Sequence, residues 1–363
     1  MDSRCFSILD VGVSVSGAAA DLGYVDAFVD AYAPEGNPAR KPAVKVEITR
    51  EVDDGLISPT GGELWVHHSK HKYWNIRGWG VPGSVRWMSR PIRTTSEGLS
   101  ARVSTPPDTS SAVTGESGWH ICRSVALYAR DPRPGKLLHA SAVVVGDKAV
   151  AFVGGVSAGK TTLMTEAVLR HRADPLANDR LFVRPGNPPV AVSWPSYASY
   201  TEGTLLHYEE LHDAALAYEA GKISVRTQAW GRKLRRIYTK DAKRAFPMLW
   251  LTNAVGRPYR REAPLAAVIV STVSPDVAEP DITPLPLAEG RARKALAALI
   301  ERESFDAAEP SFCPWHGLRL PGGAMSAEEL VAELRQAAIP VLRLRAPAPG
   351  FEPYLERALE ELG

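Results

Sequence analysis

Apolar and polar positions alternate with a period of two through much of the first third of the chain. The pattern is clear in Ala43-Val44-Lys45-Val46-Glu47-Ile48, in Glu63-Leu64-Trp65-Val66 and in Ser84-Val85-Arg86-Trp87-Met88. A period of two marks strands with one face buried. Turn-forming clusters, Pro34-Glu35-Gly36-Asn37-Pro38 and Pro59-Thr60-Gly61-Gly62, separate these segments. The stretch from Ser104 to Glu116 is rich in Ser, Thr and Pro and predicts a surface loop. Trp119 to Tyr128 then takes a helical rhythm that Asp131-Pro132-Arg133-Pro134-Gly135 stops. Residues 1–130 therefore read as a mostly β, α+β region, suited to substrate binding or oligomerisation.

The pattern changes after residue 131. Leu137 to Val145 is a nearly unbroken apolar run that predicts one buried strand. Gly146-Asp147-Lys148 turns it tightly into Ala149-Val150-Ala151-Phe152-Val153. From Lys160 to Arg170 the apolar positions Leu163, Met164, Ala167 and Val168 recur at helical spacing. Leu176 to Val183 returns to the sheet, and Arg184 to Pro195 reads as a proline-rich loop. Lys222 to Tyr238 suggests paired strands crowded with cations. Ala263 to Thr272 is a strongly apolar strand, and Leu287 to Arg302 a helix that buries Leu296, Leu299 and Ile300. Ser326-Ala327-Glu328-Glu329 opens another helix with a capping box, running to about Ala338. Val341 to Leu344 is a strand, and Glu352 to Leu362 a closing helix. Strands and helices in this alternation make residues 131–363 an α/β domain.

Composition narrows the class of function. The 363 residues suffice for two domains, and apolar (45%) and charged (23%) fractions are those of a globular protein. A formal net charge of only +2 gives no footprint for nucleic acid or an anionic membrane. No run is apolar for long enough to span a bilayer. Cys5, Cys122 and Cys313 lie far apart, with no paired spacing for zinc. Together with an N-terminus that lacks a signal-peptide profile, this leads us to expect the reducing cytoplasm.

The candidate chemistry lies between the hairpin and the helix. Gly154-Gly155-Val156-Ser157-Ala158-Gly159-Lys160-Thr161 fits the phosphate-binding pattern G-x-x-x-x-G-K-[ST], with a strand before it and a helix after it. A triphosphate needs many close donors. The loop amides from Gly154 to Thr162 and the positive end of the helix would supply them. Gly154 and Gly159 allow the tight turn. Lys160 would reach the β- and γ-phosphates, and the Thr161 hydroxyl would ligate magnesium. ATP and Mg²⁺ are the expected ligands. In Leu176-Ala177-Asn178-Asp179-Arg180-Leu181-Phe182-Val183, Asp179 lies one helix and one turn beyond the loop. That spacing returns its carboxylate to the sheet edge that carries the phosphates, although a solvated turn acid would look the same. Arg180 would either hold phosphate or pair with Asp179.

The segment from His139 to Val183 resembles HPr kinase/phosphorylase and its shorter relatives, the HPr-kinase-like P-loop kinases. The resemblance rests on His139-Ala140, on the loop at 154–161 directly after a β-hairpin, and on Ala177-Asn178-Asp179-Arg180. It implies ATP as phosphoryl donor, magnesium at Thr161, and an active-site role for His139. It also implies that Asp179 serves as general base or metal ligand. Being a hexameric family, it further suggests a homo-oligomer. The chain departs from the family where Asn178 stands in place of the first acid of an Asp-Asp pair: its amide oxygen can orient a water or a metal, but it cannot take a proton. The Leu-Glu-Ile-Arg-Gly segment is missing too. Ser199-Tyr200-Thr201-Glu202-Gly203-Thr204 falls in its place and offers Glu202 as a second acid. The N-terminal region does not resemble the family's regulatory domain. A divergent relative with its own substrate is therefore expected, rather than HPr kinase.

Three further features bear on function. Lys222, Arg226, Arg232, Lys233, Arg235, Arg236, Lys240, Lys243 and Arg244 crowd one region, ordinarily a solvated face. Its position after the candidate acid suggests Arg236 and Lys233 as contacts for the nucleotide or an anionic substrate. His67, His68 and His71 lack an acidic or cysteine partner at ligand spacing, which argues against metal. Trp65, Trp74, Trp79, Trp87 and Trp119 fill a core or line an acceptor pocket. The readings that follow are a kinase acting on a small-molecule hydroxyl, a Ser/Thr kinase acting on a peptide or protein, and a non-catalytic ATP-gated binding protein.

Overall fold

The computed structural model describes residues 1–32, 42–50, 88–89, 93–95, 98–104, ten positions between 110 and 126, 135–194, 196–218, 243–302 and 325–362. The chain divides into two compact units, the first made of Met1–Pro132 with Ala217–Lys233 and Glu309–Pro321, the second of Arg133–Leu216, Leu234–Ala308 and Gly322–Gly363. The first unit starts with β1 (Asp2–Ile8) and β2 (Val11–Gly17), an antiparallel hairpin. Its loop is Leu9-Asp10, both with positive φ, which matches the twist of the flanking strands. Helix α1 (Ala19–Tyr32) leads to β3 (Val44–Thr49), parallel to β2. Strands β4 (Met88–Ser89) and β5 (Arg93–Thr95) pair antiparallel with β6 (Gly98–Ser104), which itself runs parallel to β3.

The expected surface loop from Ser104 to Glu116 is corrected by this unit. Ser111, Thr114 and Gly115 already have helical backbone, and Thr114 is fully buried. The reason is close packing. A Cβ at Gly115 would lie 2.4 Å from the Asp21 carbonyl oxygen, and one at Gly118 would lie 2.2 Å from Ile48 Cδ1. Trp119 is core, stacked on Phe28 with ring centroids 5.0 Å apart. The alternations at residues 63–66 and 84–87, the four other tryptophans of this region and His67, His68 and His71 lie outside the described residues.

The second unit is built on a mixed nine-stranded sheet. Its strands are β7 (Lys136–Leu138), β8 (Ala140–Val145), β9 (Lys148–Val153), β10 (Asp174–Ala177), β11 (Leu181–Arg184), β12 (Val190–Ser193), β15 (Glu262–Val273), β16 (Asp281–Pro284) and β17 (Val341–Ala346). Two further strands, β13 (Tyr197–Thr201) and β14 (Lys243–Pro247), form a separate ribbon. The helices are α2 (Lys160–Arg170), α3 (Glu202–His207), α4 (Glu209–Ala217), α5 (Met248–Val255), α6 (Gly290–Arg302), α7 (Ala327–Gln336) and α8 (Glu352–Glu360). Ala149, Ala151 and Val153 of β9 pack with Leu296 and Ile300 of α6 and Leu330 and Leu334 of α7. Val150 and Phe152 alternate to the other face, and α2 packs on β8 and β9. Burial on both faces explains why β8 and β9 read as continuous apolar runs.

Three sequence expectations change here. The run from Leu137 to Val145 is two strands, interrupted at His139, because β7 pairs with β11 while β8 pairs with β9 and β10. The proline-rich loop contains β12, held between β11 and β15. Helix α6 also starts at Gly290 rather than Leu287, and leaves Leu299 only partly buried. The capping box at Ser326 and Glu329 is formed as read. The basic tract from Lys222 to Tyr238, with Lys233 and Arg236, lies outside the described residues.

Candidate active site

Strand β9 runs parallel to β15, and β15 parallel to β17, so three carboxyl ends meet at one edge of the sheet. The glycine loop leaves β9 at that edge. Its floor is the end of β15: the Val273 amide donates to the Ala158 carbonyl at 3.1 Å. A Cβ at Gly154 would lie 2.8 Å from the Ser271 carbonyl oxygen. One at Gly159, where φ is +81°, would lie 2.5 Å from Val273 Cβ. Both glycines are thus required by the floor beneath the loop, and Gly159 also by its left-handed backbone. Gly159 is the N-cap of helix α2 and brings no side-chain cap, so the helix's first amides face the loop rather than a capping oxygen. Val156, at the loop's outer turn, is 70% exposed.

Lys160 is buried, and its ammonium donates to the carbonyls of Gly154 at 2.7 Å and Gly155 at 2.9 Å. The charge is therefore held across the mouth of the loop. Thr161 lies in the first turn of the helix, and its hydroxyl donates to Asn178 Oδ1 at 2.9 Å.

The same edge receives two chain breaks that face one another. The pairings Leu138↔Leu181 and Ala142↔Ala177 stand in a single antiparallel register. Residues 139–141 therefore face residues 178–180 across an opened part of the ladder. His139 Nε2 lies 3.4 Å from Asp179 Oδ1, and Arg180 Nε lies 3.7 Å from Asp179 Oδ2. Asp179 adopts φ +66°, a left-handed conformation that Asp tolerates better than most residues. Partial burial pushes its carboxyl pKa up. The hydrogen bond from His139 and the charges of Arg180, His139 and Lys160 push it down, and they prevail, holding the group below the usual carboxylate range. The side chain keeps 45% exposure, which limits the opposing effect of burial.

Asn178 occupies the centre of the break and is almost fully buried. Its Oδ1 accepts from Ser141 Oγ at 2.8 Å as well as from Thr161, and its Nδ2 donates to the Tyr197 carbonyl at 2.8 Å. Sequence reasoning saw here an amide able to orient a water or metal but not to take a proton, and did not find Ser141 or Tyr197. The one available signal was an amide where the resembling family has an acid. Glu202 is engaged elsewhere. Its Oε1 accepts from Arg244 Nε and Nη2, at 3.2 and 2.9 Å, and both side chains are nearly inaccessible. A buried ion pair so committed is a structural element rather than a second acid. Among the described residues no cluster of three or more His, Cys, Asp or Glu side chains could hold a metal, and no helix is long and apolar enough to cross a membrane.

No family model matches the chain, and no curated protein is similar to it in sequence. Among solved structures, the HPr(Ser) kinase/phosphatase from Coxiella burnetii is similar at 11% identity, over 62% of this chain and 95% of that one. The TM-score is 0.27, a superposition too loose to carry any residue's role from one chain to the other.

Proposed function

We propose that the chain is an ATP-dependent kinase that transfers the γ-phosphoryl group to a hydroxyl of a small metabolite. The observation that carries this reading is the meeting, at one sheet edge, of Lys160 and Thr161 of the glycine loop with the Asp179 carboxylate. An uncapped helix end, a ring of loop amides and a buried ammonium suit a triphosphate. In binding it, Lys160 would exchange the Gly154 and Gly155 carbonyls for phosphate oxygens.

The donor set also fits magnesium. The metal habitually takes few protein ligands and completes its shell with phosphates and water. One hydroxyl, that of Thr161, with Asp179 near the same edge, meets that need. Mg²⁺ when bound would neutralise charge on the β- and γ-phosphate oxygens.

The transfer itself asks little covalent chemistry of the protein. The acceptor oxygen forms a bond to the γ-phosphorus while the bond from that phosphorus to the bridging oxygen breaks, and ADP leaves with the electron pair. The acceptor's proton passes to Asp179. Because His139, Arg180 and Lys160 keep this carboxyl ionised at neutral pH, it is a weak base. Its first task is to accept the hydroxyl's hydrogen bond and align the oxygen, taking the proton late as the new bond forms. His139 and Arg180 hold the carboxylate's two oxygens in place.

The test is incubation with ATP and Mg²⁺ against a panel of nucleosides, sugars and Ser-containing peptides, with products followed by mass. A small molecule heavier by one phosphoryl group is the expected result. Phosphorylated peptides alone would reassign the acceptor. ATP binding with no transfer to any class would overturn the kinase reading in favour of a nucleotide-gated binding protein.

A further inference from the structure

We infer that Asn178 is a positioning residue that fixes the Thr161 hydroxyl with its proton turned away from the loop and its lone pairs towards it. The inference rests on the nucleotide reading above and adds a device that the loop motif does not contain.

The chain of constraint begins at a backbone oxygen. The Tyr197 carbonyl can only accept, so the atom of Asn178 that meets it at 2.8 Å must be the amide nitrogen. That sets the flip of the side chain and turns Oδ1 the other way. Oδ1 can only accept, and it lies 2.9 Å from Thr161 Oγ1 and 2.8 Å from Ser141 Oγ. Each hydroxyl owns a single proton, and both protons are committed to this oxygen. The Thr161 oxygen then has only lone pairs left to offer. A hydroxyl in that state is ready to ligate a cation without first breaking or rotating a bond.

The amide side of the site is nearly inaccessible to water, with Asn178 1% and Ser141 0% exposed, while Thr161 is partly exposed towards the loop. Solvent therefore cannot easily replace the missing acceptor if the amide is removed. A carboxylate in this position would oppose the Tyr197 carbonyl, acceptor against acceptor. That gives the amide a reason of its own, beyond the loss of an acid.

The experiment measures ATP affinity by calorimetry, with Mg²⁺ and again with a chelator, for wild type, Asn178→Ala, Thr161→Ala and the double variant. Groups that orient a metal ligand are typically worth 10- to 100-fold in metal affinity. The expected result is that Asn178→Ala loses about tenfold of the gain that Mg²⁺ brings, and keeps its affinity in chelator. The double variant should lose no more than Thr161→Ala alone, since the amide acts through that hydroxyl. Asn178→Leu, which fills the space without an acceptor, repeats the measurement should the alanine variant fail to fold. Additive losses, or an undiminished Mg²⁺ gain in a folded variant, overturn the inference. A wild-type protein whose ATP affinity ignores Mg²⁺ would instead bring down the metal reading beneath it.

Discussion

His139 Nε2 and Asp179 Oδ1 stand 3.4 Å apart where two neighbouring strands are interrupted opposite one another. Neither residue belongs to a ladder, so each side chain is aimed by the ends of the strands on either side of it. The contact is charge-assisted when the imidazole is protonated, and it leaves Asp179 Oδ2 towards Arg180. On the proposed chemistry, Asp179→Asn should lower turnover by about 10²- to 10⁴-fold, the usual range for a positioned proton acceptor. ATP affinity should change little, and calorimetry beside a turnover assay separates the two.

The depressed carboxyl also makes a pH prediction. Its folded pKa lies below the unfolded value of about 3.9, so as pH falls the unfolded chain takes up its proton first. The stabilisation from Asp179 is therefore complete above the ordinary carboxylate range and is lost as pH falls through it. The difference in stability between wild type and Asp179→Asn should shrink as pH falls below about 5. Urea titrations at several pH values below about 5 check it, and a difference that grew over that range would contradict the assignment.

Lys160→Ala should weaken ATP binding by about 10- to 100-fold, as for hydrogen bonds to a charged group. It should also shrink the stabilisation that ATP gives, from about 2.7 kcal/mol in wild type at 100 times the wild-type Kd to about 0.4–1.4 kcal/mol in the variant at the same ATP concentration. Differential scanning fluorimetry with and without nucleotide reads this directly.

The glycines separate two costs. Gly146 and Gly159 both have positive φ, but only a Cβ at Gly159 meets another atom closely, Val273 Cβ at 2.5 Å. Gly146→Ala should cost about 1 kcal/mol for the backbone alone. Gly159→Ala should cost about 1–3 kcal/mol more from overpacking against the strand beneath. Chemical denaturation of both variants gives the comparison, and equal losses would mean that the floor yields.

Glu202→Ala should destabilise by about 3–5 kcal/mol, because it leaves the buried Arg244 guanidinium without its carboxylate. Turnover per folded molecule should hold. A loss of turnover in the folded variant would return Glu202 to the list of candidate acids.

What could be read from the sequence was local. The turn at Gly146-Asp147, the glycine loop and the buried face of α2 at Leu163, Met164, Ala167 and Val168 each depend on residues a few positions apart. The break at His139 was hidden because its causes are distant: Leu138 ends against Leu181, while Ala140 starts against Val153. Strand β12 was hidden by the prolines beside it, although Val190 and Val192 find partners in β15 some 70 positions later by number, at Pro264 and Glu262. The helix around Thr114 was hidden by the glycines that make its packing feasible. Asn178 was visible as an amide, but nothing nearby in sequence announces its partners Ser141 and Tyr197.

The end of β15 that lies beneath the glycine loop sets an order in time. Ser271 Oγ donates to the Val153 carbonyl, a contact between residues 118 positions apart. On a ribosome the loop and its helix emerge long before the strand that floors them. At about 5–20 residues per second, the interval is of the order of ten seconds. Through that interval β9 lacks its parallel neighbour and Gly159 lacks the surface against which it closes. A chain cut short before Val273 would carry the whole sequence motif and still lack the built loop.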